Sequence, residues 1–420
     1  MLSVQEILKK KRDGYSLTQE EIAYFIKEHV KGSIPDYQVA ALLMATYLQG
    51  MNIDETYWLT KSMMNTGKVL NLSDIPGVKV DKHSTGGVGD KVSLIIAPLL
   101  AALGFVVPMI TGKALGHTGG TVNKLRAITG FHTTLSLYEF KNNLSKIGLS
   151  IIETTNEIVP ADKSLYSLRN ATATIDSIPL MAASMMSKKL AEGTDVLVLD
   201  IKTGNGAFMK KQSKAKQLAK VLVEIGKRMK KRVAALITNM ESPLGKSVGT
   251  GLEVQEAINV LKGVEEPHDL LEVVYGITRK ILELTNIDED PKAKIANGTA
   301  LIKFKELVQA QGGNLSCVEE PEYFSKAREV TEIKSTQTGY IFSMNTYRIG
   351  DLANSLISDP FAGFVFNLKT GNKVKEGDLL ATIYSSDKAE GMRIGNELLK
   401  CYEIRDYPPK IKPMILEEIE

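Results

Sequence analysis

Cysteine and tryptophan are scarce in this chain of 420 residues, which contains two cysteines and one tryptophan. Cys317 and Cys401 are far apart and lack the close spacing of metal ligands. This scarcity argues against a disulfide-stabilised secreted fold and against a zinc site. We therefore expect a reducing, cytoplasmic compartment.

An excess of one charge is also missing, since the formal net charge is +3. A net charge this small does not indicate a nucleic-acid surface, because such proteins concentrate Lys and Arg side chains on one face. We expect no nucleic-acid partner.

A long uninterrupted apolar run is missing as well. Residues 94–110 are almost wholly apolar, but Pro98, Gly104 and Pro108 interrupt them. The run is also shorter than the roughly 20 residues that cross a bilayer as a helix. It predicts a buried helix followed by a buried strand. Residues 1–14 are charged and amphipathic, without the apolar centre of a secretory signal, so we expect no membrane partner.

What the chain does contain is a series of helical patterns at its start. Thr18 and Glu21 have the spacing of a capping box. Pro35 begins a third helical pattern, and Asp54 is expected to cap a fourth. Four helices within the first 70 residues predict a helical subdomain, and residues 160–192 return to a helical pattern.

The remainder alternates between strands and helices. Helical patterns separate short apolar strands at 78–80, 106–110, 150–152, 196–201 and 234–239. This alternation is typical of parallel βαβ units. From about residue 333, short strands and turns predominate. The predicted fold class is α/β and α+β multidomain: a helical domain, a central mixed or parallel α/β domain and a small C-terminal α+β domain.

Two Gly-rich stretches, residues 81–93 and 111–121, follow predicted strands, where parallel sheets form their binding sites. Glycines let backbone N–H groups approach an anion, and Lys, Ser and Thr add further donors. Neither stretch is a Walker loop or a dinucleotide fingerprint, and each alone is compatible with an ordinary turn. Together they predict a site for an oxyanion the size of phosphate, with these donors: Lys82, Ser84, Ser93, Thr111 and Thr121.

His83 lies between two of these donors, where an imidazole can move a proton near neutral pH. A second set of polar residues is Arg169, Ser184 and Lys188. Ser184 and Lys188 are four residues apart and share one helix face. This set suits a planar ligand with carbonyl oxygens and an N–H group, such as a pyrimidine. A solvated pair of Lys188 and Lys189 is the alternative.

Several longer motifs resemble the thymidine and pyrimidine-nucleoside phosphorylase family. They read Lys-His-Ser-Thr-Gly-Gly-Val-Gly-Asp at 82–90, Gly-His-Thr-Gly-Gly-Thr at 116–121, Ala-Thr-Ile-Asp-Ser-Ile-Pro-Leu at 173–180 and Ser-Lys-Lys-Leu-Ala-Glu-Gly at 187–193. The resemblance implies a pentosyltransferase that converts pyrimidine (deoxy)nucleosides and inorganic phosphate reversibly to free base and (deoxy)ribose 1-phosphate, without an organic cofactor.

The resemblance also implies a homodimer of three-domain subunits. Residues 1–70 plus 160–192 would form a helical domain for dimerisation and base binding. Residues 71–159 plus 193–332 would form the phosphate-binding α/β domain, and residues 333–420 the C-terminal α+β domain. The active site would lie between the first two.

The resemblance further implies roles for individual residues. The catalytic residues would be His83, Arg169 and Lys188, with His83 near O2 of the base as proton donor. The base would contact Arg169, Ser184, Lys188, Leu115 and Phe208, and phosphate the five donors named above. Some members of the family bind a monovalent cation such as K⁺, and the matching positions here are Gly89, Lys91, Leu244, Ser247 and Glu256.

The chain departs from the family pattern around the second Gly-rich stretch. Four positions are altered, three usual carboxylates and one usual Arg: Asn123, Arg126, Asn170 and Lys113 respectively. These changes together predict a rearranged ion network. The C-terminal domain is also shortened near residues 354–360.

Met109 stands where broad pyrimidine-nucleoside phosphorylases tend to carry a Lys, which favours thymidine and deoxyuridine as substrates. Three alternatives stay open: a broad uridine and thymidine phosphorylase, a weakly active or non-catalytic nucleoside-binding paralogue, and a phosphoribosyltransferase. The lack of an acidic metal-binding cluster near the Gly-rich stretches argues against the last.

Overall fold

The start of the chain is helical, as the capping signals predict. In the computed structural model, which describes residues 3–114, 116–155, 157–326 and 329–420, the first elements are α1 (Val4–Arg12), α2 (Gln19–Val30), α3 (Asp36–Gln49) and α4 (Ile53–Met64). Thr18 and Glu21 form the predicted capping box of α2. Asn52, rather than Asp54, caps α4, because its side chain accepts a hydrogen bond from the Glu55 N–H.

The middle of the chain alternates strands with helices. In chain order, it contains β1 (Val80–Ser84), α5 (Val92–Ala102), β2 (Val107–Thr111), α6 (Thr121–Arg126), α7 (Leu137–Ile147), β3 (Leu149–Glu153), α8 (Pro160–Ala171), α9 (Ile178–Ala191), β4 (Val196–Thr203), α10 (Gln212–Arg228), β5 (Arg232–Asn239) and β6 (Ser247–Val248). A helical stretch follows, with α11 (Thr250–Leu261), α12 (His268–Thr285), α13 (Pro291–Ala296), α14 (Thr299–Ala310), α15 (Ser316–Glu319) and a 3-10 helix (Pro321–Ser325).

The last part of the chain consists mainly of short strands. Its elements are β7 (Glu329–Lys334), β8 (Gly339–Met344), α16 (Thr346–Ser355), β9 (Gly363–Phe366), β10 (Lys373–Val374), β11 (Leu379–Ser385), α17 (Lys388–Leu399), β12 (Tyr402–Arg405) and β13 (Ile415–Ile419). Strands β7 to β12, together with β6, form two small antiparallel sheets, with the strand orders β10-β8-β12 and β6-β9-β11-β7.

The central sheet has the strand order β1-β4-β5-β13, and its first three strands are parallel. The parallel pair β2-β3 lies beside β1, to which it is joined by a bridge between Lys79 and Val106. All eight residues of β4 are buried, because helices cover both faces of the sheet. Leu197 and Leu199 pack toward α10 and the helical domain, whereas Val196 and Val198 pack toward α5 and α12.

Helices α8 and α9 pack against α2, α3 and α4, although they follow β3 in the sequence. Side chains from both groups, including Leu59 and Met186, belong to one apolar cluster. Residues 3–64 and the segment 160–191 therefore form one helical body beside the carboxyl ends of β1 and β2. None of the described helices is both long and apolar enough to cross a membrane.

Two strands are exchanged between the central and C-terminal regions. β6 precedes α11 but pairs with β9 in a C-terminal sheet. Conversely, β13 pairs antiparallel with β5 at the edge of the central sheet. The sequence-based boundaries placed residues 333–420 in the C-terminal domain as a whole, and the structure instead places Ile415–Ile419 on the central sheet.

Candidate active site

One cavity of about 660 Å³ lies between the strand ends of β1 and β2 and helices α8 and α9. Ten of the candidate catalytic, base-binding and phosphate-binding side chains line it: Lys82, His83, Ser84, Ser93, Thr111, Thr121, Arg169, Ser184, Lys188 and Phe208. Leu115 lies outside the described residues. The two Gly-rich stretches and the second set of polar residues thus face one space.

The first Gly-rich loop connects β1 to α5 and forms one wall of the cavity. Ser84 ends β1, and its Oγ accepts a hydrogen bond from the Gly86 N–H at 3.1 Å, which closes the turn. Ser93 lies in the first turn of α5. Because a helix start carries partial positive charge and free N–H groups, an anion is favoured at this wall.

Lys82 and Asp90 face each other in this wall, with 3.9 Å between Nζ and Oδ1. Burial lowers the pKa of Lys82, and the Asp90 carboxylate opposes that shift. Burial alone would raise the pKa of Asp90, but Lys202, Lys82 and Lys124 outweigh it and lower this pKa. Asp90 therefore stays ionised and favours the charged form of Lys82, the form that binds an anion.

The second Gly-rich loop carries Thr111 at the end of β2 and Thr121 at the start of α6. The Asn123 side chain accepts a hydrogen bond from the Ala114 N–H at 2.8 Å and so bridges the two flanks of the loop. An aspartate would accept the same bond, and asparagine accepts it without adding negative charge near the anion wall.

An ion network lies beside the second loop, and it contains two of the four altered positions, Lys113 and Arg126. Glu153, the last residue of β3, accepts a hydrogen bond from Arg126 Nη2 at 2.8 Å and lies 3.3 Å from Lys113 Nζ. Burial would raise the pKa of Glu153, but hydrogen bonding to Thr134 and the two cations lower it. Both cationic substitutions thus share one carboxylate, and Asn170 is exposed on α8 outside this network.

Helices α8 and α9 supply the opposite wall. Lys188 Nζ donates to Ser184 Oγ at 2.9 Å and to the carboxylate of Asp162. Burial lowers the pKa of Lys188, and Asp162 opposes that shift. Arg169 is 3% exposed and donates from Nη1 and Nη2 to the carbonyl oxygens of Leu180 and Ile175. These bonds fix the Lys188 and Arg169 side chains in the lining of the cavity.

Lys189 lies behind this wall in a buried network. Its Nζ donates to Asp81 Oδ2 at 2.5 Å, to the Ile110 carbonyl oxygen at 2.8 Å and to Glu192 Oε2 at 3.1 Å. These contacts join α9 to β1 and β2. The alternative of a solvated Lys188–Lys189 pair is wrong, since Lys188 lines the cavity and Lys189 is buried.

His83 lies on β1 and is partly exposed to the cavity. Its pKa is held well below 6.5 by burial and by the nearby ammonium groups of Lys189, Lys188 and Lys82. The imidazole is therefore neutral at physiological pH and can donate one N–H hydrogen bond. A phosphate dianion in the cavity would counter the lysines and favour uptake of a second proton.

His117, in the second loop, has a packing role. Its ring lies between Phe208 and Tyr347, with centroid distances of 5.1 Å and 4.3 Å. Asn354, near the end of α16, donates a hydrogen bond to the carbonyl oxygen of Gly116. The C-terminal region thus supports the second loop from behind, next to the shortened segment at 354–360.

The five residues matched to a cation site do meet, but they do not fit a bound cation. The Lys91 ammonium lies among the oxygens and donates to the carbonyls of Leu244 and Ser247 and to the Glu256 carboxylate. The Gly89 carbonyl accepts the Lys91 backbone N–H. Because an ammonium group has donors and no lone pair, the side chain of Lys91 cannot act as a ligand of K⁺.

Sequence reasoning missed several residues of the cavity. Asp162, Tyr166 and Arg169 are spaced by four and three residues on α8 and all line it. That spacing, which places side chains on one helix face, was the available signal for Asp162 and Tyr166. Asp90 belongs to the motif at 82–90, but its contacts with Lys82 and Lys202 depend on tertiary structure.

Family models match three parts of the chain: a glycosyl transferase family helical bundle domain at residues 5–67, the a/b domain of that family at 76–303, and a pyrimidine nucleoside phosphorylase C-terminal domain at 340–405. The pyrimidine-nucleoside phosphorylases of Staphylococcus aureus strains MSSA476 and N315 are each 44% identical over 398 residues, which cover 91% of this chain and 92% of theirs. The chain belongs to the pyrimidine-nucleoside phosphorylase family.

A solved structure outside this family shares the fold. The anthranilate phosphoribosyltransferase of Thermus thermophilus matches with a TM-score of 0.57 and 17% identity, over 73% of this chain and 99% of that chain. At this identity the match shows the fold alone, because one fold hosts many activities. Family membership confirms the predicted fold class and the resemblance that the sequence motifs indicate.

Proposed function

We propose that the protein catalyses the reversible phosphorolysis of pyrimidine (deoxy)nucleosides, as a pentosyltransferase. The main support is the juxtaposition of two different walls in one cavity. One wall has Gly-rich turns, hydroxyl groups and Lys82, which suit a phosphate ion. The other has Arg169, Ser184 and Lys188, which suit the carbonyl oxygens of a pyrimidine.

In the proposed reaction, a phosphate oxygen forms a bond to C1′ as the bond from C1′ to N1 of the base breaks. The electron pair of the broken bond passes to the base, and the configuration at C1′ inverts. Arg169 and Lys188 stabilise the developing negative charge on the base, and the phosphate dianion stabilises the positive charge on the sugar. His83 donates a hydrogen bond near O2 of the base, and its proton is available once phosphate is bound.

We propose thymidine and deoxyuridine as the preferred nucleosides. Met109 is 1% exposed and lines the cavity, and its apolar side chain occupies the position at which the broad members of the family tend to carry a Lys. A broad activity that includes uridine is the alternative.

The decisive experiment is a substrate panel of thymidine, deoxyuridine and uridine, each with and without phosphate. We expect release of the free base only when phosphate is present, with pentose 1-phosphate formed in equal amount. Lys188→Met should abolish turnover, whereas Lys262→Met, on the helix end of α11, should leave it unchanged. Nucleoside binding by calorimetry without turnover of any nucleoside would instead identify a non-catalytic paralogue.

A phosphoribosyltransferase activity has less support. Such enzymes use a magnesium-bound phosphoribosyl pyrophosphate, which needs a cluster of carboxylates near the phosphate loops. Within the described ranges, the one group of three carboxylates close enough to share a metal ion is Glu283, Glu418 and Glu420, and none of the three lines the cavity.

We further propose that the protein is a cytoplasmic homodimer that pairs through its helical domain. Helix α3 exposes a stripe of large apolar side chains at helical spacing: Tyr37, Met44, Tyr47 and Leu48. Such a stripe is typical of a subunit interface. Light scattering should give a solution mass twice that of the chain.

The proposed compartment rests on the two cysteines. Both are free and buried, which suits the reducing cytoplasm.

A further inference from the structure

Lys91 lies in a buried pocket made almost entirely of oxygen atoms. Its Nζ is 2.7 Å from the Leu244 carbonyl oxygen, 2.9 Å from the Ser247 carbonyl oxygen and 2.8 Å from Glu256 Oε2. The Lys91 side chain is completely inaccessible, and that of Glu256 is 1% exposed. An ammonium group has three N–H donors, and each of them meets one acceptor here.

Both oxygens of the Glu256 carboxylate also accept hydrogen bonds. Its Oε1 accepts the Lys246 N–H, and its Oε2 accepts the Ser247 N–H, both at 2.7 Å. Lys91 supplies the one positive charge that balances this buried negative charge. Without that charge, a carboxylate and two carbonyl oxygens would face one another in a space closed to bulk water, which is strongly unfavourable.

Two glycines bring the backbone close to the Lys91 ammonium and the oxygen atoms around it. Gly245 has a φ of +70°, and a Cβ there would lie 2.4 Å from Glu256 Oε1 and 2.8 Å from Lys91 Nζ. Gly89 has a φ of +75°, and a Cβ there would lie 2.6 Å from the Leu244 carbonyl oxygen. The pocket is therefore formed by backbone that only glycine allows, and its oxygen atoms surround the one positive charge of the Lys91 ammonium.

The pocket anchors the first Gly-rich loop. Lys91 directly follows Asp90, the partner of Lys82, and directly precedes α5, in which Ser93 is the second residue. Its contacts attach this segment to the chain after β5 and to α11. The positions of the proposed phosphate ligands thus depend on a positive charge at the Lys91 Nζ position.

We propose that the Lys91 ammonium is a covalently tethered monovalent cation, which fixes the first Gly-rich loop without any K⁺ from solution. Ammonium and K⁺ are similar in size and charge, and carbonyl and carboxylate oxygens are ligands for both. Lys91 is thus a positioning residue, and its removal leaves an anionic oxygen pocket that takes up K⁺ or ammonium.

The test compares the protein with Lys91→Thr in KCl, NH₄Cl and tetramethylammonium chloride at equal ionic strength. The unaltered protein should have the same melting temperature and the same KM for phosphate in all three salts. Lys91→Thr should melt roughly 5 °C or more lower in tetramethylammonium chloride. KCl or NH₄Cl should restore most of that loss and lower the KM for phosphate in parallel.

Lys11→Thr is the matched control. Lys11 is also a buried lysine, and its Nζ donates to Glu55 Oε1 at 2.8 Å, but no carbonyl oxygen is paired with its ammonium among the described contacts. Its variant should lose stability equally in all three salts. Rescue of both variants by K⁺ would show a general salt effect and overturn the proposal.

Two other results would also overturn it: stabilisation of the unaltered protein by K⁺, or equal melting of Lys91→Thr in all salts. A Lys91→Thr protein that folds only in KCl or NH₄Cl supports the proposal, and one that folds in none of the salts contradicts it. Melting temperature does not depend on turnover, so this test stands apart from that of the proposed function.

Discussion

Lys188 lies in the cavity between one charged and one neutral oxygen, those of Asp162 and Ser184. Burial lowers the pKa of Lys188, and the Asp162 carboxylate opposes this shift. Lys188 stabilises negative charge on the base only while it is protonated. Activity that depends on it should therefore fall as the pH rises through its pKa.

Asp162→Asn should move this alkaline fall in kcat/KM to lower pH. The substitution removes the negative charge that opposes the effect of burial, so Lys188 loses its proton more readily. We also expect kcat/KM at neutral pH to fall roughly tenfold to a hundredfold, because a hydrogen bond between charged groups contributes about 1.5–3 kcal/mol. Measurement of kcat/KM for thymidine against pH checks both effects.

Asp288→Asn, at an exposed position, is the control and should leave the pH profile unchanged. An alkaline limb of Asp162→Asn that coincides with that of the unaltered protein would show that Lys188 is not the titrating group.

Motifs allowed the prediction of individual side chains, but not of their partners. His83 and Lys82 belong to a recognisable Gly-rich stretch. Asp162 lies 26 residues before Lys188, and their contact depends on the packing of α8 against α9. The lowered pKa of His83 likewise results from burial and from the charges of Lys189 and Lys188 on α9, which no local pattern discloses.

At the scale of elements, the loop between β2 and α6 is held by two different contacts. Lys113 and Arg126 pair with Glu153 on β3, and Asn354 on α16 bonds to Gly116. Because β3 and α16 belong to separate layers, the loop is restrained from two sides.

Glu153→Gln should loosen this loop without unfolding the domain. It leaves two cations without their shared carboxylate, and partly exposed ion pairs contribute about 0–1 kcal/mol each. We expect amide exchange in peptides containing Thr111 and Thr121 to rise by up to roughly fivefold, with a small change in melting temperature. Hydrogen-exchange mass spectrometry measures amide exchange both in the loop and in the surrounding peptides.

Asp74→Asn is the matched control, since it breaks the exposed pair with Lys141 at 3.1 Å. It should leave exchange in the second loop unaltered. Equal exchange of the loop in Glu153→Gln and the unaltered protein would mean that the ion network does not restrain it.

Hydrophobic periodicity predicts which segments are helices and which are strands. It predicts the residues at which they begin and end less well. The helical stretch over 291–310 is divided into α13 and α14, because Gly298 adopts a φ of 76° between them. Asp54 has a capping side chain but lies inside α4 and pairs with Arg228 instead. In both cases the sequence contains the signal, and tertiary contacts or a single left-handed residue decide the boundary.

At the scale of the molecule, β13 completes the central sheet from the far end of the chain. Glu417 and Ile419 pair with Ile237 and Ala235 of β5. Ile415 packs so closely on α12 that a Cβ at Gly276 would lie 2.1 Å from its Cδ1. A domain boundary drawn along the sequence cannot represent such an exchange, because the predicted C-terminal domain of residues 333–420 includes a strand that pairs with the central sheet.

Deletion of residues 408–420 should lower the melting temperature by roughly 5–10 °C. It removes several strand hydrogen bonds, each of which contributes about 0.5–1.5 kcal/mol, and exposes the edge of β5 to association with other chains. Scanning calorimetry and light scattering measure the two consequences.

Two point variants refine this test. Ile415→Ala should lower the melting temperature by part of the amount that the truncation does. Ile411→Ala, at a position that is 61% exposed, should lower it by almost nothing. A truncated protein that melts like the full chain would show that β13 adds no stability to the central sheet.

The position of β13 near the end of the chain also determines when the central sheet can be completed during synthesis in a cell. A ribosome makes β5 first and reaches its partner only after the 175 residues that lie between Asn239 and Ile415. At about 5–20 residues per second, that interval is on the order of ten seconds. Throughout it, the nascent polypeptide carries an open sheet edge, so the central domain reaches its final hydrogen-bonded form after translation of residue 419.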